Sequence, residues 1–76
     1  PVRESLGGEY LRDNQYMEAE SVFRRDLEIN PRNPRSLFGL SEALKGQKKT
    51  SQAEEVRKRF EEEWQGSDVV ISVQTL

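Results

Sequence analysis

A chain of 76 residues with 12 basic and 14 acidic side chains, 33% hydrophobic and 34% charged, has room for one domain with thin apolar stripes and no deep core. Its formal charge of −2 and pI of about 5.2 give no global drive toward nucleic acid or anionic membranes, and no apolar run approaches the roughly 20 residues that span a bilayer. With no His and no Cys, disulfides, thiolate chemistry, Cys/His zinc sites and imidazole acid–base catalysis are all excluded.

The first helix is expected over residues 2–12, with Leu6, Tyr10 and Leu11 on one side. The stretch "RDNQ" breaks it, and Asn14 is expected to cap the second helix. That helix carries Tyr16, Ala19, Val22, Phe23 and Leu27 at spacings of three and four, and ends at "NPRNP". Asn33 then caps a third helix, with Pro34 in the first turn where a missing N–H costs nothing. Leu37, Leu40, Ala43 and Leu44 form its inner face, and Gly46 is expected to close it. Thr50 is expected to cap a fourth helix whose apolar positions are Ala53, Val56, Phe60 and Trp64. Along that helix Glu54 and Lys58, and Glu55 and Arg59, stand at the spacing that favours ion pairs. Short connections make neighbouring helices antiparallel.

Shifted by 34 residues, the chain matches itself at Leu6/Leu40, Ala19/Ala53, Glu20/Glu54, Val22/Val56, Arg25/Arg59 and Glu28/Glu62. A fixed period in this range is the mark of a solenoid with one supersecondary unit per repeat. One helix pair cannot bury its apolar side alone, and a second copy covers it.

The spacing of Leu6-Gly7, Tyr10, Ala19, Phe23 and Pro31 resembles the tetratricopeptide repeat (TPR) family over about residues 1–66. The second copy departs from the motif, with Ser41 for the Gly, Leu44 for the first aromatic, Arg57 for the second and Gln65 for the Pro. Phe60 is expected to fill the volume lost at Arg57. The first-helix Trp usual in the family is Arg3 in one repeat and Leu37 in the other. The resemblance implies an all-α fold, an α-α superhelix of TPR-like solenoid type. It has two helix-turn-helix repeats, about 1–33 and 34–65, giving four antiparallel helices, and an extended tail at 66–76, within a single domain of residues 1–76. In texture the second half looks like the closing repeats of bacterial TPR proteins.

The family binds extended or helical peptides on the concave side lined by each repeat's first helix. The residues matching that side are Glu4, Gly8 and Arg12 in the first repeat, and Arg35, Phe38, Glu42 and Lys45 in the second. A carboxylate clamp of the kind some members use wants Lys and Asn where this chain has Glu4 and Gly8, and a second Asn where it has Gly39. Phe38 is either the apolar anchor of a ligand site or a packing residue between helices. Gly8 and Gly39 either leave the groove floor open or permit tight packing.

Consecutive Glu61, Glu62 and Glu63 point 100° apart on a helix and do not converge on an ion. The stretch "GQKKTSQ" lacks the spacing and the leading strand of a phosphate loop, and reads as a turn. No nucleophile, base and oxyanion donor assemble from these residues, so no enzyme is expected and no cofactor is implied. The tail alternates Val69, Ile71 and Val73 with Val70, Ser72 and Gln74. It is expected to lie over Val56, Phe60 and Trp64, with pairing to a second chain and disorder as the other readings.

The function expected is a protein–protein interaction module holding a peptide or protein segment on the concave face. The alternative is a C-terminal capping and oligomerisation element of a longer TPR protein. Expected partners are a protein or peptide and the upstream repeats of its own chain. A homodimer through exposed repeat faces or the tail is left open, and nucleic acid and membrane insertion are not expected. The chain begins at Pro1 without a signal-peptide pattern and reads as a piece of a longer protein with its targeting information upstream, so the compartment is not legible.

Overall fold

Two interhelical turns, 34 residues apart, repeat each other bond for bond. The computed structural model describes the backbone of residues 2–64 and the side chains of residues 6–63. It contains four helices, α1 (Val2–Arg12), α2 (Tyr16–Ile29), α3 (Pro34–Gly46) and α4 (Thr50–Trp64). In the first turn the N–H of Asp13 donates to the Glu9 carbonyl at 3.1 Å, Asn14 to Leu11 at 3.1 Å and Gln15 to Tyr10 at 2.8 Å. In the second, Gln47 donates to Ala43 at 3.3 Å, Lys48 to Lys45 at 3.0 Å and Lys49 to Leu44 at 3.0 Å. Asn14 at φ 61° and Lys48 at φ 65° take the left-handed position. This is the Schellman way of satisfying the last carbonyls of a helix.

The turns correct three expectations. Asn14 does not cap α2. Gln15 holds that position without a side-chain hydrogen bond. Asn tolerates the left-handed region, and Asn14 serves the end of α1 instead, its Oδ1 accepting from the Tyr16 hydroxyl at 2.9 Å. Gly46 does not close α3 from outside. It is the last helical residue, and Lys48 takes the left-handed φ. Gly46 is small because the Tyr16 ring occupies the space a Cβ would need. Thr50 does not cap α4 but is its first helical residue, after Lys49, whose carbonyl accepts from the Ala53 N–H at 2.9 Å.

Helix α3 is the centre of the molecule, packed between α2 and α4, with α1 on α2. Ser36 through Ser41, with Ala43 and Leu44, are all buried. Ala19, Phe23, Ala53, Val56 and Phe60 complete the core from α2 and α4, with Leu11 from α1. The Phe23 ring is a wedge: its tip lies where a Cβ at Gly7 of α1 or at Gly39 of α3 would stand. Two glycines on different helices therefore make one slot for one ring. Val22 and Leu27, expected in the core, are only half-buried.

The "NPRNP" corner is fastened from α2 by a residue absent from the expected core. Asp26, 6% exposed, accepts from the Ser36 hydroxyl at 2.5 Å and from the Asn33 amide at 2.9 Å. Asn33 also caps α3 as expected, its Oδ1 accepting from the Arg35 N–H at 3.1 Å with Pro34 in the first turn. Among the described residues no buried side-chain nitrogen or oxygen lacks a partner. The far side of the corner is held by α4, where Arg32 Nε donates to both carboxylate oxygens of Glu63 at 3.1 Å and Arg59 donates to the Pro31 carbonyl at 3.2 Å. The expected pairs Glu54–Lys58 and Glu55–Arg59 are therefore not the ones formed. Arg59 is drawn to the corner, and the intrahelical pair of α4 is Arg57–Glu61 at 3.6 Å.

Among the described residues the molecule is all helix, as expected. No described helix is long and apolar enough to cross a membrane. The tail at 66–76 and its expected contact with Trp64 lie outside the described residues, as does the side chain of Glu4.

Candidate interaction surface

With so much of α3 buried, its exposure is confined to one strip. Arg35 and Glu42 are half-buried and Lys45 is exposed. Their spacing of three, four and seven residues keeps them on one side of the helix. Phe38 falls in the same strip by register but is covered. It is 7% exposed, its ring centroid 5.4 Å from that of Phe60 at an interplanar angle of 53°. The Arg57 guanidinium lies over both rings, 5.6 Å from Phe38 and 5.4 Å from Phe60. Phe38 is thus a packing residue, and an exposed anchor at this position is corrected. Phe60 and Arg57 together close the space that an aromatic at position 57 would have filled.

The glycine alternatives close the same way. Gly39 is buried against the Phe23 ring and forms no groove floor. Gly8 is buried as well. Arg12 is exposed in the last turn of α1.

Two clefts flank the α3 strip. The first, about 330 Å³, lies between the C-terminal ends of α1 and α3 and is lined by Leu11, Tyr16, Glu42, Lys45 and Gly46. The second, about 230 Å³, lies between α3 and α4 and is lined by Ser41, Glu42, Lys45, Thr50, Ala53, Glu54 and Arg57. Glu42 and Lys45 stand on the ridge between the clefts and border both. Neither side chain makes a hydrogen bond or ion pair within the described residues. Of the residues expected on the concave side, the structure therefore brings Glu42 and Lys45 to a cleft and leaves Arg35 further along the strip. Leu11 and Tyr16 supply apolar wall that sequence reasoning assigned wholly to the core. Leu11 lies near the end of α1 and Tyr16 opens α2, and this place beside the connecting turn is the signal that separates wall from core.

Glu20 shows how such an edge is satisfied where a neighbouring element covers it. Its carboxylate pairs with Arg24 at 2.6 Å and Lys49 at 3.5 Å, and accepts from the Gln47 amide at 2.7 Å. Partial burial pushes its pKa up, but the hydrogen bonds from Arg24 and Gln47 and the charges of Arg24 and Lys49 outweigh this and hold it below the usual value of 4.5.

Glu61 and Glu63 diverge, one to Arg57 and the other to Arg32. Among the described residues no group of three or more metal-ligating side chains is brought together. Comparison with protein-family models, with curated proteins and with solved structures gives no match.

Proposed function

We propose that this chain is a two-repeat unit of TPR type that holds a peptide or protein segment in the cleft between α1 and α3. One observation carries the reading: Glu42 and Lys45, opposite charges one turn apart on the exposed edge of a mostly buried helix, are engaged by nothing else in the described molecule. Unspent charges beside the partly apolar wall of Leu11 and Tyr16 suit a segment with an apolar residue flanked by charges. The apolar residue enters the cleft, and the flanking charges fix its direction. A cleft of this size supports binding of roughly micromolar strength, weakened by salt. No catalytic role belongs to this reading. The capping alternative draws its support from Arg57, which stands where the first repeat has Phe23.

Selection from a random peptide library tests the proposal. Enriched peptides are expected to carry an apolar residue between charges, and to be lost by the double reversal Glu42→Lys with Lys45→Glu while the fold melts as before. Enrichment that survives the double reversal contradicts the α1–α3 cleft as the site.

A further inference from the structure

The open groove between α3 and α4 is the second repeat's copy of the groove that receives α3. In the first repeat, Tyr16 and Phe23 lie against Gly46 and Gly39 of α3. Shifted by 34, they become Thr50 and Arg57, which line a cleft of about 230 Å³ together with Ala53 and Glu54. Leu11 likewise becomes Lys45. The apolar contact that seats a whole helix is therefore gone, and what remains has room for one side chain.

Two features join this cleft to the one between α1 and α3. Glu42 and Lys45 border both, so a segment that engages these charges crosses α3 with a cleft on either side. On the far wall Glu54 is exposed and makes no hydrogen bond or ion pair among the described residues. Its counterpart Glu20 is satisfied by Gln47 and Lys49 across the α2–α3 interface. Arg57, on the same wall, is already engaged by Glu61 and by the Phe38 and Phe60 rings. The far wall therefore holds a carboxylate that still lacks a cation.

We infer, resting on the α1–α3 reading above, that the bound segment continues across the Glu42–Lys45 ridge and places a second apolar residue in the α3–α4 cleft, with a Lys or Arg beside it on Glu54. The clefts lie on either side of one helix, so their centres are about one interaxial spacing apart, roughly 8–10 Å. A polyproline II chain sets residues i and i+3 on one side at about 9 Å. A β-strand sets i and i+2 on one side at about 7 Å, which falls short, and i and i+4 at about 13 Å, which overshoots. The partner is thus an extended peptide with two apolar residues three positions apart and a base next to the one that meets Glu54.

Selection from a random peptide library on the wild-type chain, followed by an amide shift map with an enriched peptide, tests this. Enriched peptides are expected to carry two apolar residues three positions apart, with a base beside one of them. Such a peptide should shift Leu11 and Tyr16 together with Thr50, Ala53 and Glu54. Changing the apolar residue beside the base to Ala should weaken binding about tenfold, and silence Thr50 and Ala53 while Leu11 and Tyr16 still respond. Glu54→Lys, at an exposed position, should weaken the unaltered peptide by a like factor and leave the melt as before. Enriched peptides with one apolar residue, indifferent to Glu54→Lys and silent at Thr50 and Ala53, overturn the inference and leave the α1–α3 site standing. Another segment of the chain filling the α3–α4 cleft gives that same result. Silence at Leu11 and Tyr16 overturns both.

Discussion

Lys48 is held in a conformation that L side chains adopt at a cost of about 1–2 kcal/mol, because the turn it closes requires a left-handed residue. Lys48→Gly is expected to stabilise the chain by about 0.5–1 kcal/mol, read as a higher denaturation midpoint. Asn14→Gly, at the equivalent place, should gain less, since Asn tolerates that region and the Tyr16 hydroxyl loses its acceptor. Gly39 is the opposite case. A methyl there enters the Phe23 ring, and the ring cannot retreat because Gly7 closes the other side of its slot. Gly39→Ala is expected to cost about 1–3 kcal/mol, and thermal melting would show each kcal/mol as a fall of about 4–8 °C. Asp26→Ala removes an acceptor from the Ser36 hydroxyl and from the Asn33 amide and should cost about 2–3 kcal/mol. A melt unchanged by Asp26→Ala would mean the corner is not fastened from α2. These residues were legible to different degrees. Pro34 and Asn33 announced the α3 start because their chemistry is local. Asp26 did not announce itself, because a carboxylate in an apolar stripe reads as a solvated residue until its partners, ten residues on at Ser36, are brought beside it.

At the scale of elements, α2 and α3 make the contact on which the rest is built. Ala19 is fully buried where helices approach closely, so Ala19→Leu should overpack the interface by about 1–3 kcal/mol. The same pair of helices sets a pH dependence through Glu20. Its pKa is lowered in the folded chain, so the stabilisation it contributes is present above the unfolded value near 4.5 and is lost as pH falls through the lower folded value. Glu20→Gln should flatten the acid limb of a stability curve below about pH 4.5 and leave the neutral region offset by a constant amount. An acid limb identical to wild type would mean that Glu20 is not held by Arg24, Gln47 and Lys49. Helix bounds were readable because proline, asparagine and the 34-residue repeat punctuate the chain. Which side of α3 is covered was less readable. Phe38 and Lys45 share a strip by periodicity, and only the arrival of Phe60 and Arg57 from α4 buries one and leaves the other exposed.

For the whole molecule, the frame is the interface between α2 and α3. Within the chain it joins the repeats through Phe23 and its two glycines. Along the α3 edge, Glu42 and Lys45 border the cleft between the α1 and α3 ends that we propose takes a ligand. The central claim is that last one, and an amide chemical-shift map on titrating a library-selected peptide tests it most directly. The account predicts shifts at Leu11, Tyr16, Glu42, Lys45 and Gly46 that saturate together and weaken at high salt. Shifts confined to Ala53, Glu54 and Arg57, with the α1–α3 cleft silent, would contradict it.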